Sequence, residues 1–483
     1  MAERPARRHD LLWPGLILLL ALGLRLPGLN GPLWYDEILT LETHLRLPWS
    51  GMLQGYDMNH HYLFNLLAKG SISLFGDAAW AIRLPALLFG LAGIWALWVL
   101  ARDVADAHTA HVVALLLALS YHHIWFSQNA RGYTGLAFFA TLGMIFWLRG
   151  LAAPKWRTWI AYAVVLALAI FTHLTGAFLF AAQGLVWAAL TGWRLLTGRF
   201  ERRACLLPAA GYALGGALTL LLYAPMLGDV MAAVGGVADG SAVDVMAEYQ
   251  NPLWSLLEGM RTALGNLGPL VGLVALAVIA LAVLGGIAAH RAAPLYPPVV
   301  AVHVALTLAL LLMLEMRIWP RFFFADIGFV LILIVLGVRL ASGWVARLAG
   351  QDPRRVFVAA SVAMVLVSIP LAARNYMAPK QDLAGAFALV ERTRAPGERV
   401  YAVGFPAAVF RSHFGADWEA ILTEEDYLAA RVQPGPMLIV VAFPARGLRK
   451  VAALDADTET TLKLVRRFPG TLGDGAVLIF RRE

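Results

Sequence analysis

Charge and cysteine are what this sequence has least of. Only 14% of its 483 residues are charged, against roughly a quarter in ordinary soluble proteins. So little charge excludes a chain made wholly of water-soluble domains. Cys205 is the sole cysteine, which excludes an intramolecular disulfide and any cysteine-based metal cluster. There is no tandem repeat, no low-complexity linker, no nucleotide-binding glycine loop and no nucleophile elbow. The net charge is +8, yet no basic patch interleaves with aromatics, so nucleic acid is not an expected partner.

What the chain has is apolar length. Hydrophobic residues make up 60% and the mean hydropathy is +0.68. Arg4, Arg7 and Arg8 precede an apolar run from Leu11 to Leu29, which at ~1.5 Å per residue reaches ~28 Å, enough to cross a bilayer. No Ala-x-Ala site follows it, so it reads as an uncleaved span with the N-terminus in the cytoplasm. Arg25, near its far end, is expected to snorkel to the interface. Further runs lie at about 83–101, 109–126, 133–148, 158–172, 175–193, 206–224, 264–288, 296–314, 322–338 and 356–373, eleven in all.

Alternating sides from a cytoplasmic start tests that count. The inner connections then hold Arg102, Arg149, Lys155, Arg157, Arg194, Arg199, Arg202, Arg203, Arg291, Arg339, Arg347, Arg354 and Arg355. The outer ones before the tail hold few basic residues: Arg46, Lys69, Arg131, Arg261, Arg317 and Arg321. Positive charge on the inside agrees with this parity. The expected fold is therefore a polytopic α-helical membrane protein of about 11 transmembrane helices, residues 1–374, with a long first outer loop at 30–80. Odd parity puts residues 375–483 outside. There an amphipathic stretch, Lys380 to Arg394, precedes β-like runs at 399–403, 437–442 and 476–480. Strands alternating with helical stretches predict a small C-terminal α/β soluble domain, a lid or docking platform.

Polar residues collect on the outer side. The first loop holds Trp34, Tyr35, Asp36, Glu37, Glu42, His44, Asp57, Asn59, His60, His61 and Asn65. Its irregular apolar pattern fits two short surface helices. The second outer turn runs Tyr121-His122-His123-Ile124-Trp125-Phe126-Ser127-Gln128-Asn129-Ala130-Arg131-Gly132-Tyr133. Later outer turns hold His173, and then Arg317 and Arg321. A polar cluster on one side of a membrane bundle is a site by default, since burying it unused costs several kcal/mol. The interfacial aromatic belt is the plainer explanation for any single residue. Carboxylates beside arginines suit group transfer from a phosphate leaving group. The carboxylate deprotonates an acceptor, and the arginines hold the departing phosphate.

Trp34-Tyr35-Asp36-Glu37, then Asp57-Met58-Asn59-His60-His61-Tyr62-Leu63-Phe64, Arg83-Leu84-Pro85 through Gly90, and Ser127 through Tyr133 together resemble the GT-C glycosyltransferases. The nearest branch includes the protein mannosyltransferases, aminoarabinose transferase and the Rgt-type transferases. The resemblance is specific over about residues 11–150. It implies transfer of a hexosyl or pentosyl unit from a polyprenyl-phosphate sugar donor, among membrane lipids, to an unidentified acceptor (lipid, glycan or protein) on the outer face of the inner (plasma) membrane, with inversion. By the resemblance Asp36 is the base and Glu37 its neighbour in the catalytic pair. Arg131, Arg321 and Arg317 are placed to contact the donor phosphate. Trp34, Tyr35, Asp57, His60, His61, Gln128, Asn129, Tyr133 and His173 are expected to line the substrate pocket. The family commonly has His-Pro-Pro where this chain has His60-His61-Tyr62, and an acid where it has Asn129.

The sequence also admits two rival classes. A transporter or flippase would need polar groups near the bilayer midplane and related halves, and here the charges lie at the outer ends. A non-catalytic assembly protein would work through its tail, which carries no readable binding motif. A divalent cation is a further expectation without a fixed ligand set: Asp36, Asp57, His60 and His61 offer oxygen and nitrogen donors, at no diagnostic spacing.

Overall fold

In a computed structural model of the chain, residues 11–483 are described apart from 58, 240–246, 266, 267 and 269. Arg4, Arg7 and Arg8, on which the inward N-terminus rests, lie outside the described residues. The chain opens with α1 (Leu12–Arg25) and α2 (Tyr35–Thr40), which runs on into a π-helical turn (Leu41–Leu45). Then come α3 (Tyr62–Phe75), α4 (Ala79–Val104), α5 (Ala107–Ala118), α6 (Tyr121–Ser127), α7 (Tyr133–Ala152), α8 (Trp156–Thr172), α9 (Gly176–Leu196) and α10 (Arg202–Tyr223). They are followed by α11 (Leu227–Asp239), α12 (Pro252–Leu264), α13 (Leu270–Ala292), α14 (Tyr296–Met313), α15 (Asp326–Ala349) and α16 (Pro353–Ala373).

Among the described residues eight helices are long and apolar enough to cross a membrane. Helices α5 and α6 form a broken ninth, bent by 61°. Ser120 restarts the helix at that break, its hydroxyl accepting from the His123 backbone N–H, as N-cap serines do. Helices α1 and α8 are apolar but shorter. These eleven units match the eleven apolar runs in order. Lipid offers no hydrophobic drive between helices, so small residues set the close crossings. Gly285 on α13 and Gly337 on α15 show this, because a Cβ on either would meet facing backbone within 2.0 Å. Trp98, Trp147 and Trp159 are fully buried in the bundle core.

After α16 come α17 (Leu383–Thr393), β1 (Arg399–Val403), α18 (Pro406–Phe414), β2 (Glu419–Ile421), α19 (Glu424–Arg431), β3 (Met437–Ala442), α20 (Pro444–Lys450), α21 (Ala452–Thr458), β4 (Lys463–Phe468) and β5 (Val477–Arg482). The strand order is β2-β1-β3-β5-β4. β1 pairs in parallel with β2 and β3, and β5 is antiparallel to β3 and β4. The register sets Val400 against Leu438 and Val440 against Ile479. Central β3 is buried along its whole length, hence its unbroken apolar sequence. Edge strand β4 carries Lys463, Arg466 and Arg467 and a bulge, which discourage pairing with other chains. Asp382 caps α17 through the Gly385 N–H.

The sheet unit sits on the first loop. Ile38 of α2 packs in the core formed by Leu383, Ala386, Val440 and Ile479. Tyr35 meets Phe405 and Phe443 edge-on, at 4.8 and 5.6 Å between centroids, and His413 pairs with Glu42 at 2.6 Å. One end of the bundle is thus covered by the C-terminal unit.

Candidate functional site

Helix α2 sorts its two acids by the helical turn, about 100° per residue. Asp36 faces a cavity, and Glu37 faces inward. Glu37 Oε1 accepts from Arg83 Nε (2.7 Å) and the Ala130 N–H (2.7 Å), while Oε2 accepts from Arg83 Nη2 (2.6 Å) and the Trp34 N–H (3.2 Å). Arg83 spends its other donors on the carbonyls of Leu29 (2.8 Å), Gly31 (2.9 Å) and Pro32 (3.0 Å). Burial raises the Glu37 pKa, but the Arg83 guanidinium outweighs it and holds the carboxyl below its usual range. This forked pair joins the end of the first span, α2, α4 and the second outer turn.

The cavity, about 260 Å³, lies between the bundle end and the C-terminal unit. Trp34, Tyr35 and Asp36 form one side, and Tyr121, His122, Trp125, Phe126, Asn129 and Tyr133 another. Tyr249, Glu258, Gly259 and Thr262 close a third, with Trp319, Pro320, Arg321, Phe324 and Ile327. Phe405, Phe443, Arg446 and Thr471 to Asp474 cover it. Trp34 Nε1 donates to Asn129 Oδ1 at 2.9 Å, and Trp125 Nε1 to Thr471 Oγ1 at 3.0 Å. Phe443 holds a left-handed backbone, φ 56°, a strain of about 1–2 kcal/mol kept at the cavity wall.

The cavity is aromatic, with its charge concentrated in a few groups. Among the described residues nothing donates a hydrogen bond to the Asp36 carboxylate. Arg321 stands over the Trp319 ring at 5.2 Å, and its Nε is buried with no hydrogen-bond partner. Arg446 lies over Phe405 and Phe443. Burial first, then the nearby Arg317 and Arg321, lower its pKa. Three guanidinium groups within electrostatic reach of one another favour an anion between them.

Of the residues assigned a site role from sequence, Trp34, Tyr35, Asp36, Asn129, Tyr133 and Arg321 line this cavity, whereas Glu37, Asp57, His60, His61, Gln128, Arg131, His173 and Arg317 do not. Arg317 bears on it through its charge on Arg446. Gln128 turns away and donates to the Arg25 carbonyl at 2.9 Å. Arg131 is buried behind α2 and donates to Thr40 Oγ1 (3.3 Å) and the Asn59 carbonyl (3.0 Å). His61 and His173 form a layer behind Tyr133, with centroids at 5.3 and 5.4 Å from its ring. His60 and Asp57 lie beside His44. Arg25 does not snorkel. It is fully buried and donates to Ser127 Oγ (3.1 Å) and the Ala118 carbonyl (3.1 Å), because polar groups of the broken span meet it inside the bundle. Sequence reasoning missed Arg446, Thr471, Asp474, Tyr249 and Glu258. The only available signal was a charge or turn residue in a segment far away in sequence.

A family model described as dolichyl-phosphate-mannose-protein mannosyltransferase matches residues 59–228. It covers the Asn59–Tyr62 and Ser127–Tyr133 motifs and begins beyond α2. No curated protein sequence matches the chain. Among solved structures the chain resembles apo ArnT from Cupriavidus metallidurans, at 16% identity and TM-score 0.54, with 98% of this chain and 97% of that one covered. The same protein bound to undecaprenyl phosphate matches at 15% and 0.51, with 98% and 97% covered. An Archaeoglobus fulgidus oligosaccharyltransferase tethered to an acceptor peptide matches at 12% and 0.58, with 95% and 72% covered. The chain is thus a multi-span membrane protein with the GT-C fold and a small C-terminal α/β unit. The likeness to GT-C glycosyltransferases read from the first loop, the Arg83–Gly90 stretch and the second outer turn is upheld by the family model and by these structures together.

Proposed function

We propose that the chain transfers a hexosyl or pentosyl unit from a polyprenyl-phosphate donor to an acceptor on the outer face of the membrane, with inversion. What carries this reading is that Asp36 and the unpartnered guanidinium nitrogen of Arg321 line one aromatic cavity. Asp36 takes the proton from the acceptor O–H or N–H as the acceptor atom bonds to the anomeric carbon. The opposite bond, carbon to phosphate oxygen, breaks, and its electron pair leaves with the polyprenyl phosphate. One displacement inverts the centre. Arg321 and Arg446 take up the charge that develops on the phosphate, a role that fixed cations fill at low dielectric cost. The aromatic walls exclude water, which would otherwise compete as acceptor. The covering C-terminal unit lies on the same side as Asp36, in keeping with an outward-facing tail and a cytoplasmic N-terminus.

Incubating the purified full chain in lipid nanodiscs with radiolabelled polyprenyl-phosphate sugars and envelope extract tests the proposal. Label is expected to leave one donor class and to appear in an acceptor. If every donor is returned intact with acceptors present, the assignment is wrong.

A further inference from the structure

Behind Arg131, away from the cavity, the first loop gathers three donor side chains that the transfer reaction does not use. His44 comes from the π-helical turn after α2, and Asp57 and His60 from the segment leading into α3. One ligand atom from each lies within 4.8 Å of the others. His44 Nε2 is 3.3 Å from Asp57 Oδ2. The two imidazole rings are 4.0 Å apart. Both rings are more than nine-tenths buried, and the Nε2 atoms of both lack a hydrogen-bond partner. His60 Nε2 is thus buried without a partner and His44 Nε2 has only its contact with Asp57, an arrangement that is costly unless something else satisfies these nitrogens. Asp57 is oriented by its own turn: Oδ1 accepts from the Asn59 N–H at 2.7 Å, leaving Oδ2 to face His44.

We propose that His44, Asp57 and His60 bind a borderline divalent cation, Zn²⁺ by preference, at a site separate from the cavity that holds Asp36. Two imidazoles with one carboxylate suit Zn²⁺ and its transition-metal neighbours. Mg²⁺ and Ca²⁺ ask for an all-oxygen shell. The Arg131 guanidinium opposes a cation here and limits affinity; the Asp57 carboxylate offsets it.

The site has a structural consequence. It would tie the end of the π-helical turn to the segment before α3. That segment carries Asn59, whose carbonyl receives Arg131, and His61, whose Nδ1 receives the Gly132 N–H at 3.3 Å. The metal would fix the layer behind Tyr133 without touching substrate.

The proposal is independent of the transfer reaction, and so is its test. Tag-free full chain in nanodiscs is loaded with Zn²⁺, desalted and measured for metal by mass spectrometry. About one Zn²⁺ per chain is expected in the wild type, with loss of retained metal in His44→Gln and in His60→Gln. Zn²⁺, and not Mg²⁺, is expected to raise the melting temperature of the wild type alone. Co²⁺ added to the metal-free wild type is expected to give the visible absorption of a four- or five-coordinate histidine site. That last readout needs no variant to fold. Zn²⁺ retention equal in wild type and variants overturns the proposal, as does a wild type that gives no Co²⁺ absorption.

Discussion

Asp36 and Glu37 are adjacent in sequence and face opposite surroundings. Asp36 opens onto the aromatic cavity, whereas Glu37 is fully buried and locked to Arg83 by two charge-assisted hydrogen bonds. On the proposed mechanism the pair divides one dipeptide into a reacting group and a scaffold. On that division, Asp36→Asn removes the base and little else. Transfer is expected to fall by about 10²–10⁴-fold, with membrane insertion and melting temperature unchanged. Donor consumption in nanodiscs beside a thermal melt measures both, and near-wild-type turnover by the variant would remove Asp36 from the mechanism.

Glu37→Gln and Arg83→Ala act on the scaffold. Breaking one side of a buried ion pair leaves the other charge uncompensated and costs about 3–5 kcal/mol. Both variants are expected to melt well below the wild type and to lose activity as a consequence. The double variant Glu37→Leu/Arg83→Met is expected to recover part of the stability. A melting temperature unchanged in the single variants would show that the pair is dispensable.

Arg321 and Arg446 approach the same cavity from the membrane bundle and from the C-terminal unit. Removal of either as alanine is expected to lower turnover by about 10²–10³-fold, the size seen when one charge-stabilising donor is lost. Arg321→Lys keeps the charge but not the fork, so it is expected to recover only part of the rate. Steady-state kinetics on the identified donor separates these outcomes. Equal rates for Arg446→Ala and wild type would reduce the C-terminal unit to a passive cover.

Lys380, in the segment between α16 and α17, donates to the Gln128 carbonyl at 2.6 Å. Burial, then the nearby Arg83, lowers its pKa from 10.5 to about 7, with Glu37 opposing. In the unfolded chain the amine keeps its proton up to 10.5. Between pH 7 and 10.5 the unfolded state therefore binds more protons, and stability rises with pH. The contribution is complete above 10.5 and lost as pH falls through 7. Melting temperatures at pH 7 and pH 9 are expected to differ less in Lys380→Met than in the wild type. An identical slope in both would mean that Lys380 titrates normally.

The bundle was legible because apolar length reports directly on lipid. Strands β1 and β3 were legible at their observed bounds because buried strands read as unbroken apolar runs. β2 escaped because it has only three residues, and β4 because Lys463, Arg466 and Arg467 on an exposed edge look like loop. At the site, local motifs located Asp36, Asn129, Tyr133 and Arg321. Arg446 and Thr471 were out of reach, since only tertiary docking brings the last strands onto α2. Arg131 and His61 carried the right motif but support the loop from behind, a distinction that depends on side-chain direction.

The docking of the C-terminal sheet over Asp36 has a bearing on biosynthesis. Asp36 is synthesised well before Arg446 and Thr471, which complete the wall of its cavity. A chain still being inserted therefore presents this carboxylate without its enclosure. On the proposed mechanism, a donor reaching such a chain would stay open to water until β5 joined the sheet, so the last strand to form sets the moment at which transfer can outrun hydrolysis.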